Sequence, residues 1–226
     1  MEKFSIFSTP TVSGGIKLPV CLVLDTSGSM IEKSSRSRGS FTKIDELNRN
    51  MDELLLTIQK DSSAKLMSDI CLIACGGEHP TVLNGYTSVD KIRFDHLEPS
   101  GRTPLGESVN LALDLLEKRR DYYRKNNIEH YKPIMMIMTD GLPTEEDSYV
   151  LASAKRCCDA VEKDGLKLLP ICIGEDSETD VLDLFSPKVK AKKIVDINVF
   201  MELFKQLSKS MSQADNTVFD WLNDKV

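Results

Sequence analysis

Asp25, Ser27 and Ser29 stand at alternate positions in Asp25-Thr26-Ser27-Gly28-Ser29-Met30, directly after an uncharged run from Leu18 to Leu24. A carboxylate and two hydroxyls are hard oxygen donors. Such donors suit Mg²⁺, which takes oxygen in near-octahedral geometry and keeps several waters, so few protein ligands leave coordination positions open. Asp, Ser and Gly are also common turn and cap residues, and Thr26 or Ser27 could cap a following helix. The hexapeptide by itself leaves the metal and turn readings both open.

The elements around it narrow the choice. A short run containing Val20, Leu22, Val23 and Leu24 fits a strand buried on both faces, as in parallel sheets. Its polar groups then fall at the carboxyl end, where ligands bind in open α/β sheets beside a topological switch point. Pro133 to Thr139 is a second central strand, apolar until it ends at Asp140-Gly141. Asp25 and Asp140 share one sheet edge only if these two strands are neighbours, and a doubly wound strand order supplies that adjacency. Ser100-Gly101-Arg102-Thr103-Pro104 reads as a turn into a helix, with Thr103 as N-cap and Pro104 at the first helical position. That role does not exclude metal binding, since a hydroxyl at a helix N-terminus points toward a region that favours anionic groups.

Asp25-x-Ser27-x-Ser29, followed by Thr103 and then Asp140, resembles the metal-ion-dependent adhesion site of von Willebrand factor A (VWA) domains. The resemblance covers about residues 18 to 211. It implies an α/β fold with a doubly wound, mostly parallel central sheet, helices on both faces and one antiparallel edge strand. It also implies Mg²⁺, with Mn²⁺ as the alternative, held by Ser27, Ser29 and Thr103 while Asp25 and Asp140 hold coordinated waters. One open position would accept an Asp or Glu from a partner protein. Thr103, Pro104, Leu105 and Gly106 are most similar to small bacterial members linked to tellurium-resistance operons. That narrower likeness implies a cytoplasmic stress or defence system beside a kinase and phosphatase.

The remaining elements are legible from periodicity. Ile44, Leu47, Met51, Leu54, Leu55 and Ile58 recur at helical spacing and predict an amphipathic helix covering one sheet face. Lys65 to Cys75 is expected as a strand ended by Gly76-Gly77, with an antiparallel edge strand beginning at Thr81 to Leu83. Leu105, Val109, Ala112, Leu113 and Leu116 form the stripe of the next helix, where Gly106 allows close approach to a neighbour. Glu145, Glu146 and Asp147 read most simply as the acidic first turn of a helix carrying Cys157 and Cys158 on its core face and closed by Gly165, though they could instead adjust the charge around the metal or face an Arg-rich partner. A fifth strand over 166–174, a short helix over 179–185, a terminal strand over 193–196 and a last helix through Phe200 and Met211 complete the domain.

The whole chain, 1–226, reads as one domain, with 1–15 a lead-in and 214–226 a tail whose Trp221 docks on the body. A net charge of −6 argues against nucleic-acid binding through phosphate neutralisation. No signal peptide or membrane span is expected. The six cysteines lie mostly inside apolar runs, as thiols in a reducing cytosol do. His79 and His96 are expected as solvated loop residues. Ile31 to Thr42, with Lys33, Arg36 and Arg38, is expected as a solvated loop at the metal rim that could offer a basic lip to an acidic partner. Two functions are carried forward: a non-enzymatic, metal-dependent interaction module, and a Mg²⁺-dependent phosphohydrolase with Asp25 as nucleophile. Ser27 weighs against the second, because a phosphoaspartate mechanism needs a second Asp there as general acid.

Overall fold

The computed structural model describes residues 15–34, 41–173 and 179–193. Its centre is a sheet of six strands: β1 (Leu18–Asp25), β2 (Ser68–Cys75), β3 (Thr81–Thr87), β4 (Ile134–Thr139), β5 (Lys167–Cys172) and the two-residue β6 (Lys192–Lys193). Their spatial order is β3-β2-β1-β4-β5-β6, so β1 and β4 are neighbours, with Leu24 in register with Met138. All pairings are parallel except the one between β2 and β3. This is the doubly wound, mostly parallel arrangement with one antiparallel edge strand, and its switch point lies between β1 and β4.

Every residue of β1, β2 and β4 is buried. Alternation along β1 sends Val20, Leu22 and Leu24 into one core and Cys21 and Val23 into the other. Helices α1 (Lys43–Lys60) and α2 (Ser62–Met67) cover the first face through Leu47, Met51, Leu54, Ile58 and Ala64. Helices α3 (Leu105–Lys125), α4 (Asp147–Lys163) and α5 (Asp180–Phe185) cover the second. A Cβ on Gly106 would lie 2.9 Å from the Ser153 hydroxyl, so the small residue does permit the close approach of α3 to α4.

Several local expectations are corrected. Residues 65–67 belong to α2 and not to the strand, because the Asp61 side chain accepts from the Ala64 N–H at 2.8 Å and starts a new helical turn after α1. Cys157 is buried, but Cys158 is half-buried at the edge of α4, where its thiol donates to the Leu184 carbonyl at 3.3 Å. All six cysteines are free thiols. His79 and His96 are exposed, and each pairs with a carboxylate, Glu107 at 3.1 Å and Asp52 at 2.8 Å respectively. The lead-in, Arg36, Arg38, the end of the expected terminal strand, the helix through Phe200 and Met211, and Trp221 lie outside the described residues.

At the amino end of β2, opposite the candidate metal centre, Asp69 accepts hydrogen bonds from Arg119 and from the Tyr123 hydroxyl. Arg119 is 1% exposed and lies over the rings of Tyr122, Tyr123 and Tyr86 at 4.9, 5.2 and 5.7 Å. Burial of two opposite charges is tolerable when they are paired and hydrogen-bonded, as here. Burial also pushes the Tyr123 hydroxyl above its ordinary range, with the Asp69 charge adding to the shift. Sequence reasoning missed this group, since Arg119 is one of many charges in the run from Glu117 to Lys125 and nothing local singles it out.

Candidate metal centre

Asp25 is the last residue of β1 and is 0% exposed. One oxygen accepts from the Ser27 N–H at 2.8 Å, and the other accepts from the Thr139 hydroxyl at the end of β4. These bonds turn the chain sharply at Thr26 and lead into a single 3-10 turn, Gly28–Ile31. Ser27 precedes that turn but does not cap it with its side chain. Its hydroxyl instead lies 3.0 Å from that of Ser29, and the Ser29 hydroxyl donates to Asp140 at 2.9 Å. Asp25, Ser27, Ser29 and Asp140 thus form one hydrogen-bonded group across the switch point. Ser29 is exposed, so the group opens to solvent.

The loop that leads into Thr103 reaches the same rim by a different route. The Ser100 N–H donates to the Thr26 carbonyl at 2.7 Å, and the Gly28 N–H donates to the Gly101 carbonyl at 3.1 Å. Gly77 and Arg102 extend this backbone zipper toward β2. Gly101 makes it possible: its φ is +68°, and a Cβ there would lie 2.6 Å from the Gly77 Cα. Thr103 follows two residues later, its N–H donating to the Thr144 hydroxyl at 3.0 Å. No described hydrogen bond joins its side chain to the other four site residues.

Thr103 is not the N-cap of α3. Pro104 occupies that position with φ −78° and ψ 64°, outside the helical region, so the helix begins one residue later than expected. The capping is done from another loop: the Glu145 carboxylate accepts the Gly106 N–H at 2.7 Å and the Glu107 N–H at 2.8 Å. Glu145 is therefore not part of the first turn of α4, where Glu146 is the cap and Asp147 the first-turn acid. An anionic group at these amides also matches the helix dipole. The Thr103 hydroxyl is left without a capping duty.

Lys43, Glu32 and Thr139 are site residues that sequence reasoning missed, whereas Glu145 was singled out but expected in the first turn of α4. Lys43 is the first residue of α1, and its ammonium lies 2.8 Å from Asp140 and 2.7 Å from Glu32. The only available signal was for Thr139, which directly precedes Asp140.

Burial pushes the Asp25 carboxyl above its ordinary range; the hydrogen bonds from Ser27 and Thr139 oppose this, and the Asp140 charge adds to it. Among the described residues no cation pairs with Asp25, whereas Asp140 has Lys43. Two close carboxylates, one without a counter-charge, fit a divalent cation. Among the described residues no group of three His, Cys, Asp or Glu could hold a metal. The donors here are carboxylates and hydroxyls, which favour Mg²⁺ or Mn²⁺ over softer ions.

No protein-family model and no curated protein matches this chain. Solved structures do share its fold. The PilB minor pilin from Streptococcus sanguinis is similar with a TM-score of 0.61 at 12% identity, over 92% of this chain and 64% of the pilin. The proximal thread matrix protein 1 of the mussel byssus, with a zinc-occupied MIDAS motif, is similar with a TM-score of 0.53 at 12% identity, over 89% of this chain and 47% of that protein. A von Willebrand factor type A protein from Catenulispora acidiphila gives 0.56 at 16% identity, over 85% of this chain and 42% of the other. This chain therefore spans less than two thirds of each, and what it shares with them is the VWA-like fold.

Proposed function

We propose that this chain is a metal-dependent interaction module that binds an acidic residue of a partner protein. The observation that supports this best is the hydrogen-bonded group of Asp25, Ser27, Ser29 and Asp140 at the carboxyl ends of β1 and β4, with exposed Ser29 at its mouth. Ser27, Ser29 and Thr103 would hold Mg²⁺, or Mn²⁺, through neutral hydroxyls, with Asp25 and Asp140 holding coordinated waters; that division follows the sequence resemblance. When bound, the ion supplies an electrophilic position for an outside carboxylate. Asp25 orients Ser27 through its backbone and ties β1 to β4 through Thr139.

The module reading is non-enzymatic. Asp25 is a poor nucleophile in this setting, because it is fully buried and both of its oxygens already accept hydrogen bonds. A bacterial, cytoplasmic, tellurium-resistance-like stress system, with a kinase and phosphatase as partners, is the narrower proposal and rests on the Thr103 to Gly106 likeness.

The test is retention of host proteins on the immobilised chain with Mg²⁺ or with a chelator, alongside Asp25→Ala and Ser27→Ala. The reading expects a specific protein held only by the wild type with Mg²⁺, and released by free acidic peptide, while circular dichroism shows that both variants stay folded. Identical retention under all conditions overturns it. Hydrolysis of a phosphate ester that disappears with Asp25→Ala would establish the enzyme instead.

A further inference from the structure

We infer that Lys43 is a built-in counter-cation of the candidate metal centre, and that a divalent ion with its coordinated waters competes with the Lys43 ammonium for Asp140. The inference rests on the metal-binding reading of the five oxygen residues and adds a device that regulates loading.

Lys43 stands where a helix tolerates a cation least. It is the first residue of α1, at the positive end of the helix dipole, and Thr42 with Asp45 already forms a complete capping box there. Its ammonium does not escape to solvent. The side chain is 14% exposed and reaches Asp140, whose side chain is 1% exposed, at 2.8 Å. Among the described residues it is the one cation paired with any of the five oxygen residues.

The geometry gives this cation two places to go. Asp140 offers one oxygen to Lys43 and the other to Ser29. Glu32, at the end of the 3-10 turn and with its side chain 65% exposed, lies 2.7 Å from the same ammonium. Without a divalent ion, Lys43 neutralises a buried carboxylate that would otherwise face Asp25. A divalent ion drawn by Asp25 and Asp140 meets the like charge of Lys43 and competes for Asp140. Lys43 then retains Glu32 as its partner at the rim. The protein stays neutralised at this edge in both states, and loading is weakened by the competition. Such a site fills only when the ion concentration is high or when an incoming carboxylate adds its own attraction.

Calorimetric titration of Mg²⁺ into the full chain tests this, comparing wild type, Lys43→Met and Lys43→Arg. Lys43→Met is expected to bind Mg²⁺ roughly tenfold more tightly, the effect of removing one like charge from a part-buried site. Lys43→Arg, which keeps the charge, is expected to stay within about threefold of wild type. The ion-free Lys43→Met protein is also expected to melt at lower temperature than wild type, with Mg²⁺ recovering the difference. In wild type, saturating Mg²⁺ is expected to speed chemical acylation of the Lys43 amine several-fold, read by mass spectrometry. That measurement decides the matter if Lys43→Met does not fold. Equal or weaker Mg²⁺ binding by a folded Lys43→Met, or acylation unchanged by Mg²⁺, overturns the role of Lys43 and leaves the metal site standing. Absence of Mg²⁺ and Mn²⁺ binding by both folded proteins overturns the metal reading and this inference together.

Discussion

Replacement of Glu145 by Ala tests how the site is held open. The carboxylate accepts two amides at the start of α3, at 2.7 and 2.8 Å, and no side chain caps that helix from within it. Loss of a helix cap costs about 0.5–2 kcal/mol, and loss of a negative charge at the positive end of the dipole adds about 0.3–1 kcal/mol. Glu145 is half-buried, so solvent screens this only in part. We expect Glu145→Ala to destabilise the protein by about 2 kcal/mol, and Tm to fall by roughly 4–8 °C for a domain of this size. Glu145→Gln keeps one carbonyl acceptor and should lose about half as much. Urea unfolding followed by circular dichroism reads both, with an unchanged m-value. Mg²⁺ affinity should weaken with Glu145→Ala, because Thr103 is held by the same loop through Thr144. A stability loss under about 0.5 kcal/mol, the range of an ordinary surface change, would refute the capping role.

The Asp69–Arg119 pair lies at the far end of the sheet, so Asp69→Ala should cost about 3–5 kcal/mol by leaving a buried charge unpaired, with Mg²⁺ affinity per folded molecule unchanged; urea unfolding and calorimetry measure the two effects separately. Gly101→Ala forces a Cβ to 2.6 Å from the Gly77 backbone at a positive φ, and should lose about 1–3 kcal/mol together with Mg²⁺ affinity. The Glu107 carboxylate beside His79 raises the imidazole above its usual range. Such a shift stabilises the folded state fully below the ordinary histidine value, about pH 6.5, and the benefit disappears as pH rises through the higher folded value. The Tm difference between wild type and His79→Gln should therefore be larger at pH 5.5 than at pH 8.5, and an equal difference at both would contradict the pairing.

Much of the frame was legible because burial leaves a plain mark on composition. The runs before Asp25 and Asp140 are apolar on both faces, as strands covered by helices on both sides must be, and each ends abruptly in the acid that begins the site. The stripe from Ile44 to Ile58 likewise located α1. What was not legible depends on contacts between distant residues or on a balance of local signals. Thr103 and Pro104 have the residue types of a cap and first helical turn, yet Glu145, 39 residues beyond Gly106, takes the capping role. Lys43 is 97 residues from Asp140, and nothing in its type or neighbours marks it as part of the site. Arg119 reads as one more charge on a charged helix until Asp69, 50 residues away, is placed beneath it. Leu66 and Met67 read as the start of the strand that follows, and only the Asp61 side chain bonded to the Ala64 N–H shows that they close a short helix instead.

The most direct measurement is anomalous diffraction from crystals of this chain grown with Mn²⁺. One anomalous peak is expected at the carboxyl edge of β1 and β4, with the hydroxyl oxygens of Ser27, Ser29 and Thr103 about 2.1 Å from the ion and one coordination position facing solvent. A peak elsewhere, no peak at saturating Mn²⁺, or an ion enclosed by protein on every side would contradict the metal-binding reading.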